Sequence, residues 1–209
     1  GVEMLNMYSY IIKRSLERKI NDLDKENYKF FIFPYGYFGK IVYQILKEEL
    51  GIENVVILDN YLEDCRGLEY LHDYVMKENE YVIITSNRDD IYEEIRNEVS
   101  EVVEEERIID IFENHYRENE DSQNIYTLSE YSVKFYLPYW KKDYIQNWIF
   151  RWGTYFEEVN LNYINKIFEN GVINKAKGGV LDIGANIGNH ALYFALEGNA
   201  DFVYAFEPI

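Results

Sequence analysis

Carboxylates set beside glycine turns are the residues of this chain best suited to holding a ligand. The sharper example is Leu181-Asp-Ile-Gly-Ala-Asn-Ile-Gly-Asn189, with Glu207 following twenty-five residues after Asp182. Gly184 lets the backbone leave a strand sharply and lets a ligand approach with no Cβ in the way. Gly188 opens the next helix. In a right-handed β-α-β unit, Glu207 at the end of the second strand faces the same crevice, where its carboxylate can accept both hydroxyls of a ribose. A dinucleotide would rest its pyrophosphate on the helix start, normally through G-x-G-x-x-G. Here the spacing is Gly184-x-x-x-Gly188, and Asp182 stands at the strand end. Its charge would repel a phosphate by about 1 kcal/mol in water and by several when desolvated. A cation, such as the ammonium of a bound amino acid, is favoured instead. S-adenosylmethionine carries an ammonium, a sulfonium and a ribose but no phosphate, so it suits this loop better.

A second glycine loop, Pro34-Tyr-Gly36-Tyr-Phe-Gly39-Lys40, keeps the last two glycines of the dinucleotide pattern and has Pro34 in place of the first. Asp59, twenty residues after Gly39, stands where a ribose-binding acid would. With Lys40 nearby and no carboxylate in the loop, a phosphate is tolerated at this helix start. Gly36, Gly39 and Asp59 therefore form a candidate second nucleotide site. The competing reading is a turn fixed by Pro34 that binds nothing.

These residues need strands and helices to place them. Tyr8, Ile12, Leu16 and Ile20 recur four apart, which predicts a helix over 8–20. Short apolar runs at Tyr28–Phe33, Asn54–Leu58, Tyr81–Thr85 and Arg107–Ile111 read as buried strands. Helical patterns follow the first run, up to Leu50 and Gly51, and the third, through Ile91, Ile95 and Val99. Strands alternating with helices indicate a parallel sheet, so residues 1–112 are expected to form a small Rossmann-like α/β domain. Residues 113–130 are polar and read as a linker or surface loop. In the aromatic stretch 131–170, Ile145, Trp148, Ile149 and Trp152 mark one amphipathic helix. Phe156, Val159, Tyr163 and Ile167 mark a second, ending at Gly171. Residues 171–209 supply strand 179–183, helix 189–196 and strand 201–206.

Val180-Leu-Asp-Ile-Gly-Ala-Asn-Ile-Gly-Asn-His-Ala-Leu-Tyr-Phe-Ala195, with Tyr204-Ala-Phe-Glu-Pro208, resembles the opening of the FkbM family of methyltransferases. Tyr136-Leu-Pro138, Asp143-Tyr-Ile-Gln146 and Tyr155-Phe-Glu157 are similar to that family's lead-in helices. The resemblance covers residues 131–209. It implies a class I methyltransferase fold, S-adenosylmethionine as cofactor, and methyl transfer to a hydroxyl of a sugar or natural product. It also implies that Asp182, Gly184, Ala185, Asn186 and Gly188 line the methionine end, with Glu207 on the ribose. Asn189 joins this cofactor-binding set, and His190 is a weaker candidate. The family's later strands, which shape the acceptor site and supply any base, have no counterpart here. No catalytic residue carries over, and the chain is expected to be an incomplete, inactive portion of a methyltransferase. The alternative is a nucleotide or nucleotide-sugar binding module, or a structural adaptor.

Composition narrows the partners. A net charge of −17 repels nucleic acid and anionic membranes; the small-molecule or glycan acceptor is what the family resemblance implies. Cys65 is the single cysteine, and His72, His115 and His190 are too scattered for a metal motif. No apolar run nears the roughly 20 residues that span a bilayer, and no secretory signal opens the chain, so a cytoplasmic protein is expected. Strands 179–183 and 202–206 read as apolar on both faces, the pattern of strands buried within a sheet. Two strands cannot stand alone in water. This segment is therefore expected to pack on a second copy in a symmetric dimer, or on the N-terminal domain, or to be poorly ordered.

Overall fold

The computed structural model describes residues 2–24, 27–60, 70–114, 124–128, 130–170, 178–198 and 200–208. Cys65, His115, Gly171 and most of the anticipated linker lie outside them. The chain divides into two compact units, Gly1–Glu118 and Asn119–Ile209.

In the first unit, apolar runs bounded by polar residues become the strands β1 (Lys29–Phe33), β2 (Val55–Ile57), β3 (Glu80–Ile84) and β4 (Ile108–Asp110). All neighbours pair in parallel, in the order β2-β1-β3-β4. Alternation along β1 splits its side chains between two covered faces. Phe31 and Phe33 join Val82 and Ile84 beneath Tyr92, Ile95 and Val99 of helix α3 (Tyr92–Ser100). Phe30, Ile32 and Ile83 point the other way and are fully buried too. Helix α2 (Tyr37–Gln44) packs on β1 and on α1 (Val2–Ile20). The α1 stripe buries Ile12, Leu16 and Ile20, as its four-residue spacing predicts. Ser15 and Lys19 of α1 donate to the carbonyls of Ile111 (3.2 Å) and Asp110 (2.6 Å), tying the helix to the end of β4. After Gln44 the helix widens into a π turn, Ile45–Glu49, with Leu50 N–H bonded to Ile45 C=O at 2.9 Å.

The second unit opens with an antiparallel hairpin, β5 (Ile125–Leu128) and β6 (Val133–Tyr136). Residues 125–128 are thus a strand and not part of the anticipated linker. Their alternation is half polar: Leu128, Val133 and Phe135 turn inward and are buried, with half-buried Tyr126 beside them against Phe150, and this face pins the register. Helix α4 (Tyr144–Trp152) starts at Asp143, whose carboxylate accepts the Gln146 N–H at 2.8 Å, and ends at left-handed Gly153. It buries Trp148, Ile149 and Phe150, and Trp140 stacks on Phe150 with centroids 3.9 Å apart. Helix α5 (Glu158–Glu169) follows, then β7 (Gly179–Ile183), α6 (Asn189–Leu196) and β8 (Phe202–Phe206). β7 and β8 pair in parallel as a two-stranded sheet. Both strands are well defined, so the expectation of a poorly ordered segment is not met, and one face of the pair is left uncovered. Leu181, Ile183, Phe202, Tyr204 and Phe206 share one face, and all are exposed.

Two buried phenols make the fold sensitive to alkali. Burial is the main force raising the Tyr92 hydroxyl above its ordinary value of 10, and the Asp110 carboxylate that accepts its hydrogen bond (2.8 Å) adds to it. Burial also raises Tyr155, helped by the charge of Glu197. A group whose folded pKa is raised stabilises fully below its unfolded pKa, and that stability is lost as pH climbs above it. Both units are therefore expected to lose stability above about pH 10. Tyr155 is fully buried, and its hydroxyl has no hydrogen-bond partner among the described residues. Tyr155→Phe should accordingly leave stability at pH 7 within about 1 kcal/mol of the parent, or raise it, and should shrink the alkaline loss. Urea midpoints at pH 7 and pH 10.5 would check this, and an undiminished alkaline loss in the variant would contradict it.

Candidate functional site in the second unit

The loop after β7 is shaped by three left-handed residues, Gly184 (φ 89°), Asn186 (φ 49°) and Gly188 (φ 82°). Side chains disfavour that region, while glycine adopts it freely and asparagine tolerates it. A Cβ at Gly184 or Gly188 would meet no atom within 4 Å. Conformation, not crowding, demands these glycines, and the space beside them is open to a ligand. Gly184 and Ala185 N–H both donate to the Phe206 carbonyl, at 2.8 and 3.1 Å. Asn186 N–H donates to a Glu207 carboxylate oxygen at 2.7 Å. The loop is thereby fastened to the end of β8, so Asp182, Gly184, Ala185, Asn186, Gly188 and Glu207 all meet at the C-terminal edge of this sheet. Ala185 is buried, whereas Gly184, Asn186 and Glu207 are exposed.

Asp182 is half-buried, and its Oδ2 is shielded with no hydrogen-bond partner among the described residues. Shielded carboxylate oxygens are nearly always bonded, so an unpaired one at a strand end marks a place for a donor. Asn189 is engaged differently. It is buried, its Nδ2 donates to the Phe156 carbonyl and its Oδ1 accepts the Phe156 N–H, each at 2.9 Å. Its amide clasps the chain entering α5 as a neighbouring strand would. The next residue, Glu157, is left-handed (φ 57°), and its carboxylate lies 3.4 Å from His190 Nε2 in the first turn of α6. Glu158 is buried and accepts hydrogen bonds from Thr154 Oγ1 (2.5 Å) and the Tyr131 hydroxyl. Sequence reasoning missed the Asn189 clasp and the Glu158 anchor. The adjacent pair Glu157-Glu158, at the head of a helix otherwise apolar on one face, was the available signal.

In the first unit, Gly36, Gly39 and Asp59 also gather at the C-terminal edge of their sheet. The strand order reverses between β1 and β3, where open parallel sheets carry ligands. Gly36 has φ −92°, which any residue adopts, and open space around it. Gly39 is different. A Cβ there would lie 3.1 Å from the Pro34 carbonyl and 3.3 Å from Thr85 Oγ1, which itself donates to Pro34 O at 2.7 Å. The fold uses the missing side chain of Gly39 for its own packing. Asp59 is buried where β2 ends. Beside it, Asn60 bonds Leu71 N–H (2.9 Å) and Glu98 (2.8 Å), holding the chain on the far side of residues 61–69.

No family model, curated protein or solved structure matches the chain. No helix among the described residues is long and apolar enough to cross a membrane. The functional reading therefore rests on the geometry of the two glycine loops.

Proposed function

We propose that the second unit carries the cofactor-binding edge of an S-adenosylmethionine-dependent methyltransferase. The observation that carries this reading is the unpaired Asp182 oxygen beside an open, left-handed glycine loop, with Glu207 at the next strand end. A shielded carboxylate attracts the ammonium of the methionine end and repels the phosphate of a dinucleotide. The carboxylate of Glu207 suits a ribose diol. A cofactor held there would supply an electrophilic methyl group for transfer to an acceptor hydroxyl. The acceptor class that goes with this reading is a sugar or natural-product hydroxyl.

Because Gly184, Asn186 and Glu207 are exposed, this edge encloses a ligand on one side only. Sites that bind tightly bury most of their ligand. Titration of the chain with S-adenosylmethionine, followed by amide resonances, is expected to show weak saturable binding, with shifts confined to residues 182–189 and Glu207. Asp182→Ala and Glu207→Ala should each weaken it by about 1–3 kcal/mol, the cost of leaving a polar ligand group unpaired. No shifts at these amides would refute the reading. Tighter binding of a dinucleotide at the same loop would favour a nucleotide module instead.

A further inference from the structure

The glycine loop turns its amides toward the end of β8. Gly184, Ala185 and Asn186 are consecutive, and the first two donate to the Phe206 carbonyl, at 2.8 and 3.1 Å. The third donates to Glu207 Oε2 at 2.7 Å, a length typical of a charge-assisted bond. Successive N–H groups gathered on one side by turn conformations form a concavity that takes anions, and phosphate-binding loops are built this way. Left-handed Gly184 and Asn186 supply that conformation here. The anion in place is the chain's own carboxylate. We infer that Glu207 is the resident anion of this loop, and that by holding the Asn186 amide it sets specificity, admitting a nucleoside and excluding one that bears a 5′-phosphate. The inference rests on the cofactor-edge reading for the ribose, and goes beyond it in naming the contact that keeps a phosphate out.

Room is not what bars a phosphate, since a Cβ at Gly184 would meet nothing within 4 Å. No Lys or Arg occurs between Gly179 and Ile209, so within this segment a phosphate would have to rely on backbone amides. The Asn186 amide is already bonded to a carboxylate, which an arriving phosphate must displace against its charge. A ribose asks for no such exchange. An ionised carboxylate has two oxygens with about four lone-pair sites, and the Asn186 bond takes one of them. Oε1 and the second site on Oε2 remain for the diol, and the amide fixes how the carboxylate faces it. Asp182 acts differently. Its shielded Oδ2 has no hydrogen-bond partner among the described residues, so it opposes a phosphate by charge and occupies no amide of the loop. Glu207 is exposed, so its replacement frees the Asn186 N–H without opening the core.

Titration with inorganic phosphate, followed by the amide resonances of residues 184–188, tests the resident anion without any nucleoside. In Glu207→Ala the Asn186 amide is expected to shift saturably at millimolar phosphate, while in the unaltered chain it stays still. Glu207→Gln removes the charge but keeps a side-chain carbonyl for the amide, and should be as indifferent to phosphate as the parent. The second measurement compares adenosine with adenosine 5′-monophosphate. Losing the ribose partner in Glu207→Ala weakens both alike, so the ratio of their affinities isolates the phosphate. That ratio should move toward the monophosphate by about tenfold, the worth of one charge-assisted hydrogen bond. An Asn186 amide that ignores phosphate in Glu207→Ala overturns the inference, whether or not the edge binds a nucleoside. A response in Glu207→Gln equal to that in Glu207→Ala overturns it too, because charge and not occupancy would then be the bar. An unchanged ratio overturns the role in specificity. If the parent binds neither nucleoside while Glu207→Ala answers to phosphate, the ribose reading fails and the resident anion stands.

Discussion

Asn189→Ala is expected to destabilise the second unit by about 3 kcal/mol. The side chain bonds both the N–H and the C=O of Phe156, and its removal leaves two partly buried backbone groups without partners. Each unsatisfied group costs about 1–3 kcal/mol. The loss also unfastens the turn that sets Glu157 against α6 and Glu158 against Thr154 and Tyr131. Trp140, Trp148 and Trp152 all lie in this unit, so urea unfolding followed by tryptophan emission reports on it directly. Asn189→Asp keeps the acceptor and loses the donor, and should fall between the parent and the alanine variant. A midpoint unchanged in Asn189→Ala would show that the clasp contributes nothing.

In the first unit the largest effect is expected from Phe31→Ala, at about 3–5 kcal/mol. Phe31 is fully buried in the cluster beneath α3, packs edge-on against Tyr74 at 5.0 Å, and carries the Lys29 ammonium 4.7 Å above its ring. Deleting the ring opens a cavity between β1, β3 and α3 that a rigid parallel sheet cannot collapse to fill. Amide exchange in residues 29–33 and 80–84 should accelerate together, since β1 and β3 pair along their whole length. Protection retained at Ile84 but lost at Phe33 would argue against a shared core.

The same residues show what a sequence discloses. β1 to β4 could be read because each is an apolar run with turn residues at its ends, and in the central β1 and β3 burial on both faces leaves little polar alternation to confuse the pattern. α1 and α4 could be read from their spacing. The β5–β6 hairpin could not, since its outer face carries Ile125, Thr127, Lys134 and Tyr136, a mixture that resembles loop composition. The π turn at Ile45–Glu49 leaves no compositional trace because it changes hydrogen bonding and not residue type. At the candidate site, the glycines and both carboxylates announced themselves by type and spacing. Asn189 did not reveal its task, because its partners lie 33 residues away and are backbone atoms. A side chain bonded to a distant backbone has no periodicity to betray it.

The hairpin and the β7–β8 pair differ in how far the chain must travel to close them. Leu128 pairs with Val133 across a turn, whereas Gly179 pairs with Phe202 only after α6 has been threaded between them. Loop entropy grows with the logarithm of length, so the longer closure is costlier by about 1.4 kcal/mol before any packing is gained. Hairpins form within about 1–10 μs, and local contacts lead the folding of most domains. In the second unit the antiparallel ribbon is thus the natural early structure. The parallel pair, with its glycine loop, is expected to close later, once α5 is in place to receive the Tyr193 hydroxyl of the crossover helix on Asn162.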